Sequence, residues 1–271
     1  MNFSNYQTIL FERRGRILEI TLNRPEKLNA VDELMHEELA RLFTDVSNDP
    51  DCDVAVITGA GRAFSSGGDI DWMQNMIDDP ARFEKTAREG RQIVYSLLDC
   101  EKPLIAKLNG HATGLGATIA LLCDIIYASE TAKIGDPHVS VGFVAGDGGA
   151  VIWPQLIGYA RAKEFLLTGD LLTATQAAQI GLINHAVSPD ELDAHVEQFT
   201  NRLATGATKA IRWTKMSINI GLRQLAQTMM DASLAYEALS NISPDHQEAV
   251  NAFREKRSPI FGKAPLQEAT Q

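Results

Sequence analysis

VAVITGAGRAFSSGGDI, at residues 54–70, is the stretch of sequence that decides the fold. Its first five residues form an apolar run rich in β-branched side chains, which is typical of a strand buried on both faces. That run leads directly into a glycine-rich segment from Gly59 to Asp69. Glycine allows the backbone to adopt positive φ and to approach a ligand closely. A strand, a glycine-rich turn and a following helix therefore predict a ligand-binding turn within an α/β domain.

A second stretch further along the chain has the same arrangement. Leu104–Leu108 is predicted to be another buried strand, the turn NGHATGLGA follows at 109–117, and a helix is under way by Thr118. The first turn of a helix carries backbone N–H groups without intrahelical partners, and the helix dipole favours negative charge there. Two such turns can aim two N–H groups at one oxygen atom, which is the construction of an oxyanion hole. Each turn taken alone is equally compatible with an ordinary tight connection.

Strands and helices alternate outside these two stretches as well. The pattern predicts a hairpin around Gly15, amphipathic helices over 31–48 and 80–98, and a further strand over Ile125–Ala128. The helices are predicted from apolar residues three and four positions apart, and the hairpin from alternating apolar and polar residues. Such alternation predicts a largely parallel, layered α/β domain.

The pattern changes between residues 188 and 200, and no convincing strand follows Val187. Helices are predicted over 190–204, 207–220, 223–240 and 245–256. We therefore predict an α/β core at 1–195 and a C-terminal helical region at 196–271. The helical region either packs on a partner subunit or folds back on its own core, and the sequence favours neither. Apolar positions available for such packing are Met216, Ile220, Leu225, Met229, Met230, Leu234 and Leu239.

Composition argues against several classes of function. The 271 residues carry a net charge of −10, which repels nucleic acid and anionic membranes. Three cysteines without CxxC spacing predict neither a disulfide framework nor a zinc site, and they fit a reducing cytoplasm. We expect no signal peptide and no membrane span, because the N-terminal stretch lacks an apolar core and no apolar run is long enough.

Tyr159 and Lys163 match the YxxxK pattern of short-chain dehydrogenases. That class needs a glycine-rich dinucleotide loop after its first strand. Here the first strands end at residues 23–25, and no GxGxxG occurs in the sequence. We therefore expect no nicotinamide cofactor.

Six stretches together resemble the crotonase (enoyl-CoA hydratase/isomerase) superfamily. They occur in family order and cover most of the chain: NRPEKLNAVD at 23–32, VITGAGRAFSSGGDI at 56–70, PLIAKLNGHATGLGATIALLCDIIYAS at 103–129, GDPHVSVGFVAGDGG at 135–149, LLTGDLLTATQAAQIGLIN at 166–184 and FREKRSPIFGK at 253–263. The resemblance implies an α/β fold, a crotonase-like spiral of ββα units with a C-terminal helical oligomerisation region. It also implies an acyl-CoA substrate, no separate cofactor or metal, and a homotrimer or homohexamer.

The resemblance also assigns roles to residues in the glycine-rich turns. The backbone N–H groups of Ser66 and Leu115 would form the oxyanion hole, beside Gly114. The family has three consecutive glycines at 114–116, and Leu115 breaks that pattern while keeping its backbone donor. The coenzyme A groove would be lined by Lys27, Leu28, Ala30, Gly68, Asp69 and Ile70, with Phe261 and Lys263 reaching it from the tail.

The acid–base residues depart from the family pattern. Hydratases of the family use two glutamates, and the corresponding positions here are Thr118 and His138. Hydration needs a base for water and an acid for the α-carbon, and a threonine hydroxyl is a poor base. We therefore predict a catalytic set of His138, whose imidazole titrates near neutral pH, and Asp147, with Thr118 beside them. His138 and Asp147 have structural alternatives, as a hydrogen-bonded histidine and a helix N-cap respectively.

Four other polar residues are assigned structural roles. Asp136, which precedes Pro137, is expected to be a turn residue, and His36 is expected to be solvated on the polar side of a helix. Asp69 is expected to order the first turn or to cap a helix. Asp124 is expected to be buried and hydrogen-bonded.

The favoured function is that of an enoyl-CoA hydratase/isomerase-type enzyme that holds an enolate in an oxyanion hole. One alternative is another acyl-CoA reaction, an isomerisation, decarboxylation or C–C hydrolysis, that uses His138 and Asp147. Another is a non-catalytic protein that binds coenzyme A esters, which the loss of both family glutamates suggests.

Overall fold

The computed structural model of the chain describes residues 3–262. Over that range the strands are β1 (Ile9–Arg14), β2 (Ile17–Leu22), β3 (Val54–Gly59), β4 (Ala63–Ser65), β5 (Leu104–Leu108), β6 (His111–Thr113), β7 (Ile125–Ser129), β8 (Lys133–Gly135), β9 (Leu172–Thr173) and β10 (His185–Val187). The helices are α1 (Glu33–Asn48), α2 (Ile70–Asp78), α3 (Ala81–Asp99), α4 (Leu115–Leu122), α5 (Gly149–Thr168, interrupted at Gly158), α6 (Ala174–Gln179), α7 (Leu192–Ala204), α8 (Thr208–Asn241) and α9 (Pro244–Arg254). Short 3-10 turns span Pro25–Lys27 and His138–Val141.

The strands form two sheets. The larger sheet has the order β1-β2-β3-β5-β7-β10, and all of its pairs are parallel except the predicted β1–β2 hairpin. The central strand β3 is buried at every residue, as its β-branched run predicts. The smaller sheet has the order β4-β6-β8-β9, and β4, β6 and β8 are parallel to one another.

Each central strand of the larger sheet is followed by a short strand in the smaller sheet and then by a helix. The units are β3-β4-α2, β5-β6-α4 and β7-β8-α5, which confirms the predicted spiral of ββα units. Because β4, β6 and β8 run parallel side by side, their carboxyl ends meet at one edge of the smaller sheet. That edge brings together residues 66–69, 114–115 and 136–138.

The helix predicted over 80–98 is present as α3, but the sequence pattern missed α2 and divided α8 into two helices. The expected helix over 80–98 is preceded by a separate helix, α2, which Asp69 caps by accepting a hydrogen bond from the Asp71 amide. The two helices expected over 207–220 and 223–240 are one 34-residue helix, α8. Gly221 lies inside it, because a single helical glycine costs only about 1 kcal/mol relative to alanine. Continuous packing of α8 against α3 outweighs that cost.

The helical region packs partly on its own chain. Ala226, Met230 and Leu234 of α8 belong to the main apolar core, as the folding-back alternative requires. Other apolar side chains of α8 remain exposed: Trp213, Ile218, Ile220, Tyr236 and Leu239. None of the helices within residues 3–262 combines the length and the apolar character needed to span a membrane.

Candidate active site

The two glycine-rich turns touch each other, and a histidine lies against them. Gly67 has φ +84°, and a Cβ atom there would lie 3.1 Å from the Thr113 carbonyl oxygen and 3.6 Å from the Gly114 Cα. Gly114 has φ +54°, and a Cβ atom there would lie 3.6 Å from the Cε1 atom of His138. Positive φ and close backbone approach both favour glycine. The carboxyl ends of β4, β6 and β8 therefore form one compact site.

The structure does not support Ser66 as an oxyanion donor. Its amide N–H donates to the carbonyl oxygen of Leu28 at 3.1 Å, because the turn pairs with the loop before α1. The amide of Gly68, two residues later, has no hydrogen-bond acceptor within the part of the chain that the structure describes. The Leu115 amide has none there either, because Leu115 is the first residue of α4. Gly68 and Leu115 therefore each present a free amide donor at this edge.

A groove of about 450 Å³ opens in front of these amides. Its walls include the predicted residues Lys27, Leu28, Ala30, Ser66, Gly68, Asp69, Ile70 and Gly114. Lys27 and Arg62 bring positive charge to the groove, and neither has an ion-pair partner within residues 3–262. Phe261 does not line the groove; Phe253 of α9 does. Lys263 lies outside the described residues.

A smaller chamber of about 40 Å³ continues inward from the groove. Gly68, Met73 and His138 line both cavities and so mark the passage between them. The chamber walls are largely apolar, with Trp72, Met76, Phe83, Leu115, Phe143 and Leu234. Leu115 is buried against this chamber, so its side chain narrows the space in which an acyl group would lie.

His138 lies between two carboxylates. Its Nδ1 atom is hydrogen-bonded to Asp136 Oδ1, and its Nε2 atom lies 3.6 Å from Asp147 Oδ2. Burial lowers the pKa of His138, but the charges of Asp136 and Asp147 and the hydrogen bond to Asp136 outweigh it and raise the pKa to about 10. The imidazole is therefore protonated at neutral pH, and it is an acid in the resting site rather than the neutral base that an ordinary histidine would supply.

Asp147 completes this cluster. Its Oδ1 atom lies 3.4 Å from the Thr118 hydroxyl, so Thr118 hydrogen-bonds the carboxylate. Burial raises the pKa of Asp147, and the positive charge of His138 opposes that shift. Asp147 is not the N-cap of α5, because Gly148 holds that position and no side chain caps the helix there. Its carboxylate faces His138 instead.

Asp136, His138 and Asp147 also have the composition of a metal site, and one donor atom from each lies within 4.8 Å of the others. The two carboxylates, however, approach opposite nitrogens of one imidazole ring. That arrangement fits a hydrogen-bonded proton relay better than three ligands around one ion. The prediction that the reaction needs no metal stays a prediction.

Two structural expectations were wrong. Asp136 is not a simple turn residue: it is buried beside His138, and its Oδ2 atom packs so closely on Gly149 that a Cβ atom there would clash. His36 is not solvated: its Nδ1 atom lies 2.8 Å from Glu89 Oε2, and its ring lies against Trp72. Asp136 turns inward because it hydrogen-bonds His138, and His36 turns inward because it contacts Glu89 and Trp72. Asp124 is hydrogen-bonded to the Leu104 amide and to Lys215, as expected, but it is half-buried rather than buried.

Glu237 of α8 is a site residue that the sequence analysis missed. It lines the inner chamber with His138 and Asp147. Burial raises the pKa of Glu237 well above its ordinary value; Asp147 and Asp136 add to the shift and His138 opposes it. A signal was present in the sequence, because residues 226, 230, 234, 237 and 241 follow helical spacing, and Glu237 and Asn241 continue an otherwise apolar stripe.

Known proteins are similar to this chain over most of its length. The family described as Enoyl-CoA hydratase/isomerase matches residues 12–264. The crotonyl-CoA hydratase of Syntrophomonas wolfei is 34% identical over 261 residues, which are 94% of this chain and 98% of that protein. The 1,2-epoxyphenylacetyl-CoA isomerase of Escherichia coli is 34% identical over 249 residues, 90% of this chain and 94% of that protein. Among solved structures, an enoyl-CoA hydratase/isomerase from Mycobacterium paratuberculosis has a TM-score of 0.88 and 39% identity, covering 91% of this chain and 99% of that one.

Proposed function

This chain is an enzyme of the enoyl-CoA hydratase/isomerase family, and we propose that it adds water to a short 2-enoyl-CoA through an enolate. The observation that carries the proposal is that two free amides, Gly68 and Leu115, meet a buried acid–base pair, His138 and Asp147, at one strand edge. The thioester oxygen accepts hydrogen bonds from both amides. The N-terminus of α4 favours the negative charge that develops there.

The acid–base steps follow from the charges of the resting site. The Asp147 carboxylate takes a proton from water while the water oxygen attacks the β-carbon of the enoyl group. The His138 imidazolium then protonates the α-carbon and becomes neutral. A proton passes from Asp147 to His138 Nε2 across their 3.6 Å separation and restores the starting charges. Asp136 holds the ring by its other nitrogen, and Thr118 orients the Asp147 carboxylate.

Coenzyme A occupies the outer groove in this proposal. Lys27 and Arg62 face its phosphates, and the backbone around Gly68 and Asp69 contacts the pantetheine arm. We also propose that Phe261 and Lys263 contact coenzyme A that is bound to a neighbouring subunit.

The assembly and location of the enzyme are also proposals. A division into a core at 1–195 and a helical region at 196–271 agrees with the run of helices after β10. The exposed apolar side chains of α8 support a homotrimer or homohexamer. We propose a cytoplasmic enzyme without a separate cofactor, and sedimentation equilibrium tests the assembly.

The test is incubation of the enzyme with crotonyl-CoA and with butyryl-CoA in deuterated water. We expect loss of the enoyl absorbance and a 3-hydroxybutyryl-CoA product labelled at the α-carbon. Asp231→Asn, at an exposed position of α8, is the matched control for Asp147→Asn and should keep full activity. Deuterium exchange into butyryl-CoA without hydration of crotonyl-CoA would contradict hydration and favour an isomerase.

A further inference from the structure

The inner chamber has a buried carboxyl group from α8 in a lining that is largely apolar. Helix α8 crosses the chamber with a buried face made of Met230, Leu234, Glu237 and Asn241. Leu234 and Glu237 both line the chamber, together with Trp72 and Met76. Glu237 is only 5% exposed, so its carboxyl group faces the chamber and the groups packed around it rather than solvent.

The carboxyl group of Glu237 has no hydrogen-bond partner from residues 3–262. Its Oε2 atom is buried and unpaired, although Gly146 packs so closely that a Cβ atom there would lie 2.7 Å from Oε2. Asp136, Asp147 and His138 are the charged groups nearest to it, and two of these three are acidic. Native proteins rarely leave such a buried group unpaired without a functional reason.

The protonated form of Glu237 is the one that this site favours. A carboxylate there would be buried, unpaired and close to two other carboxylates. A neutral carboxylic acid is a hydrogen-bond donor through its O–H group. The chamber therefore presents a donor that lacks an acceptor in the described chain.

We propose that Glu237 is a specificity-determining residue that donates a hydrogen bond to an oxygen atom on the acyl group, so that the enzyme prefers short acyl chains bearing a hydroxyl or keto oxygen over plain hydrocarbon chains. The small chamber limits the chain to a few carbons beyond the thioester. Because Glu237 lies beside His138 and Asp147, the oxygen belongs close to the reacting carbons. This inference rests on the proposed function, since it assumes that the acyl group enters this chamber.

Binding, rather than turnover, separates this inference from the proposed reaction. The dissociation constants of pentanoyl-CoA, 4-hydroxypentanoyl-CoA and 4-oxopentanoyl-CoA are measured by calorimetry on the wild-type protein. We expect the two oxygenated esters to bind roughly 3- to 10-fold more tightly, the range for one net hydrogen bond. Tighter binding of the hydroxy ester alone, or of the keto ester alone, identifies which oxygen is recognised.

Three variants sharpen the measurement. Glu237→Leu should remove the preference and tighten binding of pentanoyl-CoA, while Glu237→Gln, which keeps an N–H donor, should retain the preference. Asp231→Leu makes the same kind of change at an exposed position of α8 and should behave like the wild type.

An equal affinity of the wild type for all three esters would overturn the inference, as would a preference that survives Glu237→Leu. The wild-type measurement decides even where a variant fails to fold. Equal loss of kcat on every substrate in both Glu237 variants, without a change in the binding ratios, would instead assign Glu237 to the chemistry. Failure of all three esters to bind would contradict the proposed function itself, and with it the inference about Glu237.

Discussion

Glu38 and Glu237 are both buried, but only Glu38 has hydrogen-bond partners within the described chain. Glu38 of α1 accepts hydrogen bonds from the amides of Gln7 and Thr8 and from the Thr8 hydroxyl, which fix the N-terminal segment to the helix. Glu237 accepts none from the described chain, and it lies in the chamber with His138 and Asp147. The N-terminal corner therefore pairs its buried carboxylate within the chain, whereas the chamber leaves the Glu237 carboxyl group without a partner in the described chain.

The largest expected effect lies in the chamber. Asp147→Asn removes the base, and we expect kcat for hydration to fall by about 10²- to 10⁴-fold. The free energy of unfolding should also fall somewhat, because Asp147 is one of the two carboxylates that stabilise the buried His138 imidazolium. Steady-state kinetics and urea denaturation measure the two quantities. Retention of more than a tenth of the wild-type kcat would assign the base elsewhere.

In the N-terminal corner, a substitution should lower the free energy of unfolding and leave kcat nearly unchanged. Glu38→Ala leaves the amides of Gln7 and Thr8 without their buried acceptor, so we expect it to lower the free energy of unfolding by about 2–4 kcal/mol. The kcat of the folded variant should stay near that of the wild type. Glu38→Gln keeps one acceptor oxygen and serves as the milder control. A loss below about 1 kcal/mol would mean that water replaces the carboxylate there.

Glu237→Leu should change stability in the reverse direction. Because it replaces an unpaired buried carboxyl group by an apolar side chain of similar size, we expect the free energy of unfolding to rise by about 1–2 kcal/mol. Chemical denaturation without ligand gives the value. Destabilisation would show that the carboxyl group has a partner in the folded protein and would remove the contrast with Glu38.

The last prediction concerns the dependence of stability on pH. Burial raises the pKa of Glu237, so its contribution to stability is fully present below its ordinary pKa of 4.5 and is lost as pH rises. For His138, whose pKa is raised by its neighbouring carboxylates against the effect of burial, the loss runs from about 6.5 to about 10. Each group contributes at most ~1.4 kcal/mol per pH unit within its window.

Denaturation at several pH values between 5 and 9 tests this pH dependence. Glu237→Gln should flatten the decline in stability at the lower end of the range, and His138→Asn should flatten it at the upper end. A decline that both variants leave unchanged would place its origin outside the chamber.

The sequence predicted the fold well where patterns are local. The β-branched run of β3, the hairpin and the alternation of strands and helices follow from residue spacing alone. The short strands β4 and β6 were hidden inside the glycine-rich turns, and β8 was missed as well, because three residues are too few to show a period. They matter most for the site, since their parallel ends bring Gly68, Leu115 and His138 together.

The site was predicted only in part, because its chemistry depends on contacts between distant segments. His138 and Asp147 were expected as partners, but the protonated state of His138 depends on Asp136, whose side chain turns inward only in the folded chain. Ser66 was chosen by position, whereas its amide is occupied by Leu28, a contact that spacing cannot reveal. Glu237 comes from a helix predicted as an oligomerisation surface, and no nearby motif marks it.

The continuous α8 has a mechanical consequence. At 1.5 Å per residue, its 34 residues form a rod about 50 Å long. Near its start the Lys215 side chain contacts Asp124 and the Lys102 carbonyl, and at its end Asn241 donates to the Met76 carbonyl. Because α8 is anchored near both ends, we expect its middle, which carries Leu234 and Glu237, to move little when a bulky acyl group binds. In the proposed binding mode, the stiffness of this helix would limit the length of the acyl chain, together with the side chains that line the chamber.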